Sequence, residues 1–150
     1  MPFAEWTKEF SVGVEEIDDD HKRLLALVND LHDAVEAGAA WNVLDNVLDG
    51  LTLYVTYHFA HEETLFTRTD YPGYERHRRQ HQALTITVHE IQQDFQDHAL
   101  ETLPHQVLEF LKNWLYEHIL GSDRAFAVYY KSWLARQRPE ASPAGAGASQ

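Results

Sequence analysis

The chain has 150 residues, 44% hydrophobic and 24% charged, which suits one domain around one buried core. Its net charge of −12 argues against nucleic acid and anionic membrane surfaces as partners, and its lack of cysteine excludes disulfides and thiolate metal sites. Ten histidines and 24 acidic residues leave imidazole and carboxylate as donors for a transition metal, a set typical of non-haem iron where positions stay open.

The first 17 residues lack helical periodicity and are expected to form an arm laid over the domain. They also lack the basic and apolar regions of a secretory signal, and no run is apolar enough for membrane insertion, so the expected compartment is the cytoplasm. Asp18-Asp19-Asp20 offers capping groups and negative charge for a first helix over 18–37, which stops near Gly38. A second helix spans 41–68 and is broken by Pro72-Gly73. A third runs to residue 96. The fourth starts at Pro104, which a first helical turn tolerates, and reaches Gly121 with a helical continuation toward Leu134. From Pro139 the sequence is Pro, Ala, Gly, Ser and Gln, and 139–150 is expected to be disordered. Residues 1–138 therefore read as an all-α domain: an antiparallel up-down-up-down four-helix bundle with an N-terminal arm.

At 100° per residue each helix shows one apolar stripe that turns polar at one end. The stripes are His21, Leu24, Leu25, Val28, Leu31 and Val35; Leu44, Leu48, Leu51, Val55, His58, Glu62 and Leu65; His77, His81, Leu84, Val88, Ile91 and Phe95; and Val107, Leu111, Trp114 and His118. In an up-down-up-down bundle the start of the first helix, end of the second, start of the third and end of the fourth share one level. His21, His58, Glu62, His77, His81, His118 and Asp123 then converge in one core layer. One histidine on an apolar face is usually a satisfied core residue. Seven such groups with no inward Arg or Lys would carry large desolvation costs unless they held metal. The remaining histidines take the simpler reading. His98 and His105 flank the last loop, His89 is off its stripe, and His61 sits on a flank. His32 is about three turns, roughly 16 Å, from His21.

Five imidazoles and two carboxylates are too many for one ion and suit two. If both carboxylates bridge, together with a solvent-derived oxygen, the histidines divide three and two. One metal is then six-coordinate and the other five-coordinate, with one open position for a small diatomic. Competing patterns fail. No Glu has His three residues later, as ferritin-like sites require, and neither His61-Glu62 nor His89-Glu90 completes His-Glu-x-x-His. His118 and Asp123 are five residues apart, about 140° around a regular α-helix, so a kink, bulge or helix end is expected within 119–123, where Gly121-Ser122 lies.

With Trp6, Val14 and Ile17-Asp18 before His21-Lys22, His58-Phe59-x-x-Glu62-Glu63-x-Leu65, Tyr71-Pro72 before His77-x-x-x-His81, and Trp114-Leu115-x-x-His118-Ile119-x-x-x-Asp123, the sequence resembles the hemerythrin family, specifically its bacterial single-domain members. The resemblance covers about 6–130. It implies two iron ions per chain with a bridging oxo or hydroxo group: one held by His77, His81 and His118, the other by His21 and His58, with Glu62 and Asp123 bridging. It also implies reversible O₂ binding at the second iron. Asp20 departs from the Gln often found there and is expected to alter the field at His21. Leu84 and Phe66 stand where Phe and Met are common.

Reversible binding needs a pocket without proton donors. Leu24, Leu25, Phe59, Trp114 and Ile119 are the expected dry lining. The expected function is O₂ carriage, storage or delivery rather than catalysis, with O₂ as partner and the protein that receives it unidentified. The alternatives are a di-iron oxidase or peroxidase, which needs an acid, base or Tyr near the open iron, and an O₂ or redox sensor acting through a separate partner. Tyr54, one turn before His58, is the residue on which the enzyme reading depends.

Overall fold

A computed structural model describes residues 2–98 and 105–137. The elements are a 3₁₀ turn at Lys8–Phe10 and helices α1 (Glu15–Glu36), α2 (Trp41–Thr69), α3 (Tyr74–His98), α4 (His105–His118) and α5 (Arg124–Gln137), with a π turn, Ile119–Asp123, joining the last two into one rod. No strand occurs among the described residues. Helix α1 packs on α2 and α4, and α2 on α3, in the up-down-up-down order. None of the described helices is long and apolar enough to cross a membrane.

Local chemistry explains where the helices stop. Gly38 takes φ 66°, and its N–H donates to Val35 O while that of Ala39 donates to Ala34 O, the paired bonds of a Schellman end. The end of α2 repeats this without glycine. Asp70 adopts φ 52°, its N–H donates to Thr67 O, and that of Tyr71 donates to Phe66 O. The apolar contact that usually seals such an end is the Phe66–Tyr71 ring pair, 5.5 Å apart.

Helix α1 begins at Glu15, three residues ahead of the expected start, so the arm is shorter than the sequence suggested. Glu15, Glu16 and Asp18 favour the positive end of the helix dipole. Asp18 does not cap the helix from outside. It lies in the first turn and accepts from Val12 N–H (2.8 Å) and the Ser11 hydroxyl (2.5 Å), pinning the arm. Further along the arm, Asn29 exchanges two hydrogen bonds with the backbone of buried Ala4. Phe3 stacks on His32 at 4.2 Å, and Phe10 stacks on Tyr116 at 4.6 Å.

The apolar core away from the histidines includes Leu24, Leu25, Val28 and Leu31 of α1, Leu44, Leu48, Leu51 and Val55 of α2, Leu84, Val88 and Phe95 of α3, and Leu108, Leu111 and Leu115 of α4. The α4 stripe is rotated from the expected one: Leu108 and Leu115 are buried, whereas Val107 and Trp114 are half-buried, as is Ile91 of α3. Helix α3 extends to His98, two residues past the expected end. The expected helix start at Pro104 and the expected disordered tail, 139–150, lie outside the described residues.

Candidate metal centre

The structure brings all seven expected residues into one buried layer, the most exposed being His118 at 7%. His58 and Glu62 on α2, like His77 and His81 on α3, share a face by ordinary four-residue spacing. His118 and Asp123 share one only because the rod widens between them. The Arg124 N–H reaches back to Ile119 O, a π-type bond, while His118 and Arg124 on either side keep α-helical dihedrals. One extra residue in that turn carries Asp123 inward, and α5 continues along the rod. Gly121 is not what forces the bulge. It does not take a positive φ, and a Cβ there would meet nothing within 4 Å.

The donor atoms form two overlapping groups, each with ligand atoms within 4.8 Å of one another: His77, His81 and His118 with Glu62 and Asp123, and His21 and His58 with the same two carboxylates. Each carboxylate splits its oxygens between the groups. Glu62 Oε1 faces His81 Nε2 (3.2 Å) and His77 Nε2 (3.6 Å), while its Oε2 faces His58 Nε2 (3.5 Å) and His21 Nε2 (3.8 Å). Asp123 Oδ1 faces His77 Nε2 (2.8 Å) and His118 Nε2 (3.0 Å), while its Oδ2 faces His21 Nε2 (2.8 Å).

Several of these atoms have no hydrogen bond. His21 Nε2, His58 Nε2, both Glu62 oxygens and Asp123 Oδ2 are buried without a partner; the close approach of His21 to Asp123 lacks hydrogen-bond geometry. Orphaned buried polar atoms cost about 1–3 kcal/mol each or more when charged, so a convergent set of them fits a cation. Imidazole and carboxylate without sulfur suit iron, zinc, copper or nickel.

The electrostatics agree. Burial, reinforced by the charge of Asp123, pushes Glu62 well above the usual carboxylate range. Burial would raise Asp123 as well, but His118, His21 and His77 outweigh it and hold that carboxyl well below its ordinary value. Without metal, the two carboxyls are thus driven in opposite directions. Burial, followed by neighbouring His118 and His77, depresses His81 to about 2, and burial lowers His58 and His77. Neutral imidazoles are the metal-binding form.

Outer partners orient two of the rings. His81 Nδ1 lies 2.9 Å from Glu63 Oε2, and His58 Nδ1 lies 2.9 Å from Asp20 Oδ2. Asp20 also faces His61 Nδ1 (2.7 Å) and Tyr54 Oη (3.1 Å). Burial would raise Asp20, but its bonds from His58 and His61 outweigh this and bring it to about 2. Asp20 therefore bonds directly to His58, while both ring nitrogens of His21 lack a hydrogen-bond partner. Sequence reasoning placed His61 on an idle flank and missed its link to Asp20. A signal was present: Tyr54, His58 and His61 follow i, i+4, i+7, and Asp20 is four residues before Leu24 on the α1 stripe.

The expected pocket lining divides. Leu24, Leu25 and Ile119 are fully buried. Phe59, however, stacks on His81 at 3.8 Å and lies 6.0 Å from His58, while Trp114 stacks on His118 at 4.4 Å, so these rings pack mainly on the three-histidine group. His89 and His105 are exposed, His105 beside Glu36 at 3.2 Å, and His32 is satisfied by Phe3 and Asp33. The side chain of His98 lies outside the described residues.

A family model described as hemerythrin HHE cation binding domain matches residues 12–129. The bacteriohemerythrin of Stenotrophomonas maltophilia is 33% identical over 137 residues, covering 89% of this chain and 86% of its own. That of Methylococcus capsulatus is 33% identical over 128 residues, covering 84% and 95%. A crystal structure of wild-type hemerythrin superposes with a TM-score of 0.80 at 29% identity, covering 85% of this chain and 98% of its own. Fold, matched span and a buried histidine–carboxylate layer agree, and this chain belongs to the hemerythrin family.

Proposed function

We propose that the seven residues hold two iron ions per chain and that the protein binds O₂ reversibly, as a carrier, store or donor. In this reading His77, His81 and His118 hold one ion, His21 and His58 the other, and Glu62 and Asp123 bridge them. The observation that carries it is the division of each carboxylate, one oxygen facing each histidine group. Two iron ions with an oxygen bridge would supply electrons to O₂ and take them back on release. The chain's own residues hold the donors, exclude water and withhold protons.

With two ions held in this way, the five histidines would divide three and two over shared oxygens, and the two-histidine side would have the smaller set of protein donors. His21 and His58 are almost completely buried, as are Leu24, Leu25 and Ile119 of the expected lining. The enzyme alternative depends on Tyr54, and its hydroxyl donates to Asp20 instead of facing the donor layer. Burial and the adjacent Asp20 charge push that phenol up to about 12, which makes it a poor acid. Both points favour binding over turnover.

Metal analysis and absorption spectra through repeated deoxygenation and reoxygenation test the proposal. Two irons per chain and full recovery over successive cycles are expected. A single iron, or two zinc ions after growth in iron-replete medium, overturns the iron assignment. Loss to a stable diferric form in the first cycle overturns reversible carriage.

A further inference from the structure

We propose that Asp20 is the positioning residue of the two-histidine group: its carboxylate fixes His58 as the Nδ1–H tautomer and aims a bare Nε2 into the donor layer. The inference rests on the ligand assignment above.

Three donors converge on Asp20. The Tyr54 hydroxyl donates to Oδ1 at 3.1 Å, and the ring Nδ1 atoms of His58 and His61 lie 2.9 and 2.7 Å from Oδ2. An ionised carboxylate only accepts, so each of those ring nitrogens must carry the hydrogen. In a neutral imidazole the other nitrogen then has a free lone pair. For His58 that nitrogen is Nε2, which is buried, has no hydrogen-bond partner and faces Glu62 Oε2. The tautomer is thus set from outside the donor layer.

Asp20 itself is held on three sides. Its backbone is in α1, one residue before His21, while all three donors come from α2. The Asp20 side chain is 9% exposed, against 29% for Glu63, which serves His81 through one contact on the opposite side. A carboxylate that is more buried and better satisfied is a stiffer anchor and a less screened charge. His21 has no such outer support: its Nδ1 is buried without a partner. The group with fewer histidines therefore relies on one anchored ring.

Two measurements test this. In metal-free, ¹⁵N-labelled protein, two-bond ¹H–¹⁵N correlations of His58 should show a protonated Nδ1 and a bare Nε2. In Asp20→Asn the amide N–H₂ can donate to Nδ1, and the pattern should move toward Nε2–H. Anaerobic iron(II) titration should show two ions in the wild type. Asp20→Asn should weaken the second about 10–100-fold and leave the first unchanged, as loss of an outer-shell partner does. Asp20→Glu should restore much of the second affinity. A purely packing role would change stability without moving tautomer or site-selective affinity. A wild-type spectrum with Nε2–H, or Asp20→Asn binding both ions like the wild type, overturns the proposal. If Asp20→Asn does not fold, the wild-type tautomer alone decides. The expected tautomer in a protein that takes up fewer than two irons would support the anchor while refuting the di-iron reading.

Discussion

The two histidine groups share Glu62 and Asp123 yet sit in different surroundings. Around His77, His81 and His118 the walls are aromatic: Phe66 packs 4.6 Å from His77, Phe59 stacks on His81 and Trp114 on His118. Surface clefts reach these rings. A groove of about 610 Å³ between α2 and α3 is walled partly by His81, and clefts of about 350 and 310 Å³ beside the π turn are walled partly by His77 and His118. Around His21 and His58, whose rings meet edge-on at 4.9 Å, the structure places one buried, triply bonded carboxylate, Asp20. The group with more histidines is braced by ring stacking at its edge. The group with fewer is sealed and oriented from behind by charge. A shared pair of carboxylates does not make the halves equivalent; what stands behind each ring does.

Removing donors one at a time should break the comparison most visibly. Glu62→Ala takes an oxygen from both groups, so both metals should be lost together. His81→Ala should empty the three-histidine group, and His58→Ala the two-histidine group. Each should lower affinity at its own group beyond the roughly 100-fold typical of outer-shell partners. Metal analysis with absorption spectroscopy reads all three. Were Glu62→Ala to lose only one ion, the carboxylate would not be shared.

Acid should sharpen the contrast in the metal-free protein. His58, His77 and His81 have pKa values depressed below the ordinary value near 6.5. The unfolded chain therefore takes up their protons first. Stability from these groups is complete above about pH 6.5 and drains away as pH falls, toward about 2 for His81, by about 1.4 kcal/mol per pH unit for each histidine. Glu62, raised in the fold, works in the opposite sense: its contribution is present at low pH and is lost as pH rises through its folded value. Urea midpoints should thus fall between pH 7 and pH 5, with a shallower slope in His81→Ala. A flat profile would show that burial of His58, His77 and His81 does not govern acid stability.

The smallest effect is expected in the π turn. Gly121→Ala should be neutral or stabilise by up to about 1 kcal/mol, because alanine favours helix and meets open space there. Metal content should be unchanged. A loss of one or both ions would show that the bulge depends on glycine, not on the burial of Asp123.

The sequence by itself determined the helices, their order and the level at which seven donor residues meet. Apolar periodicity and histidine spacing are local, and a four-residue repeat points along one helix face whatever the partner. Even the irregularity between His118 and Asp123 was legible, since five residues on a regular helix cannot share a face. Local pattern did not resolve the start of α1, because Asp18 could serve either a helix end or the arm, and only the arm's position decides. Nor could periodicity show which helix face Trp114 and Phe59 would meet, since a stripe gives a direction and not a neighbour. The link from Asp20 to His58, His61 and Tyr54 joins residues 34 to 41 positions apart. It exists because α1 and α2 pack side by side at a particular rotation. That rotation is set by how their side chains interdigitate, and the tertiary structure alone decided it.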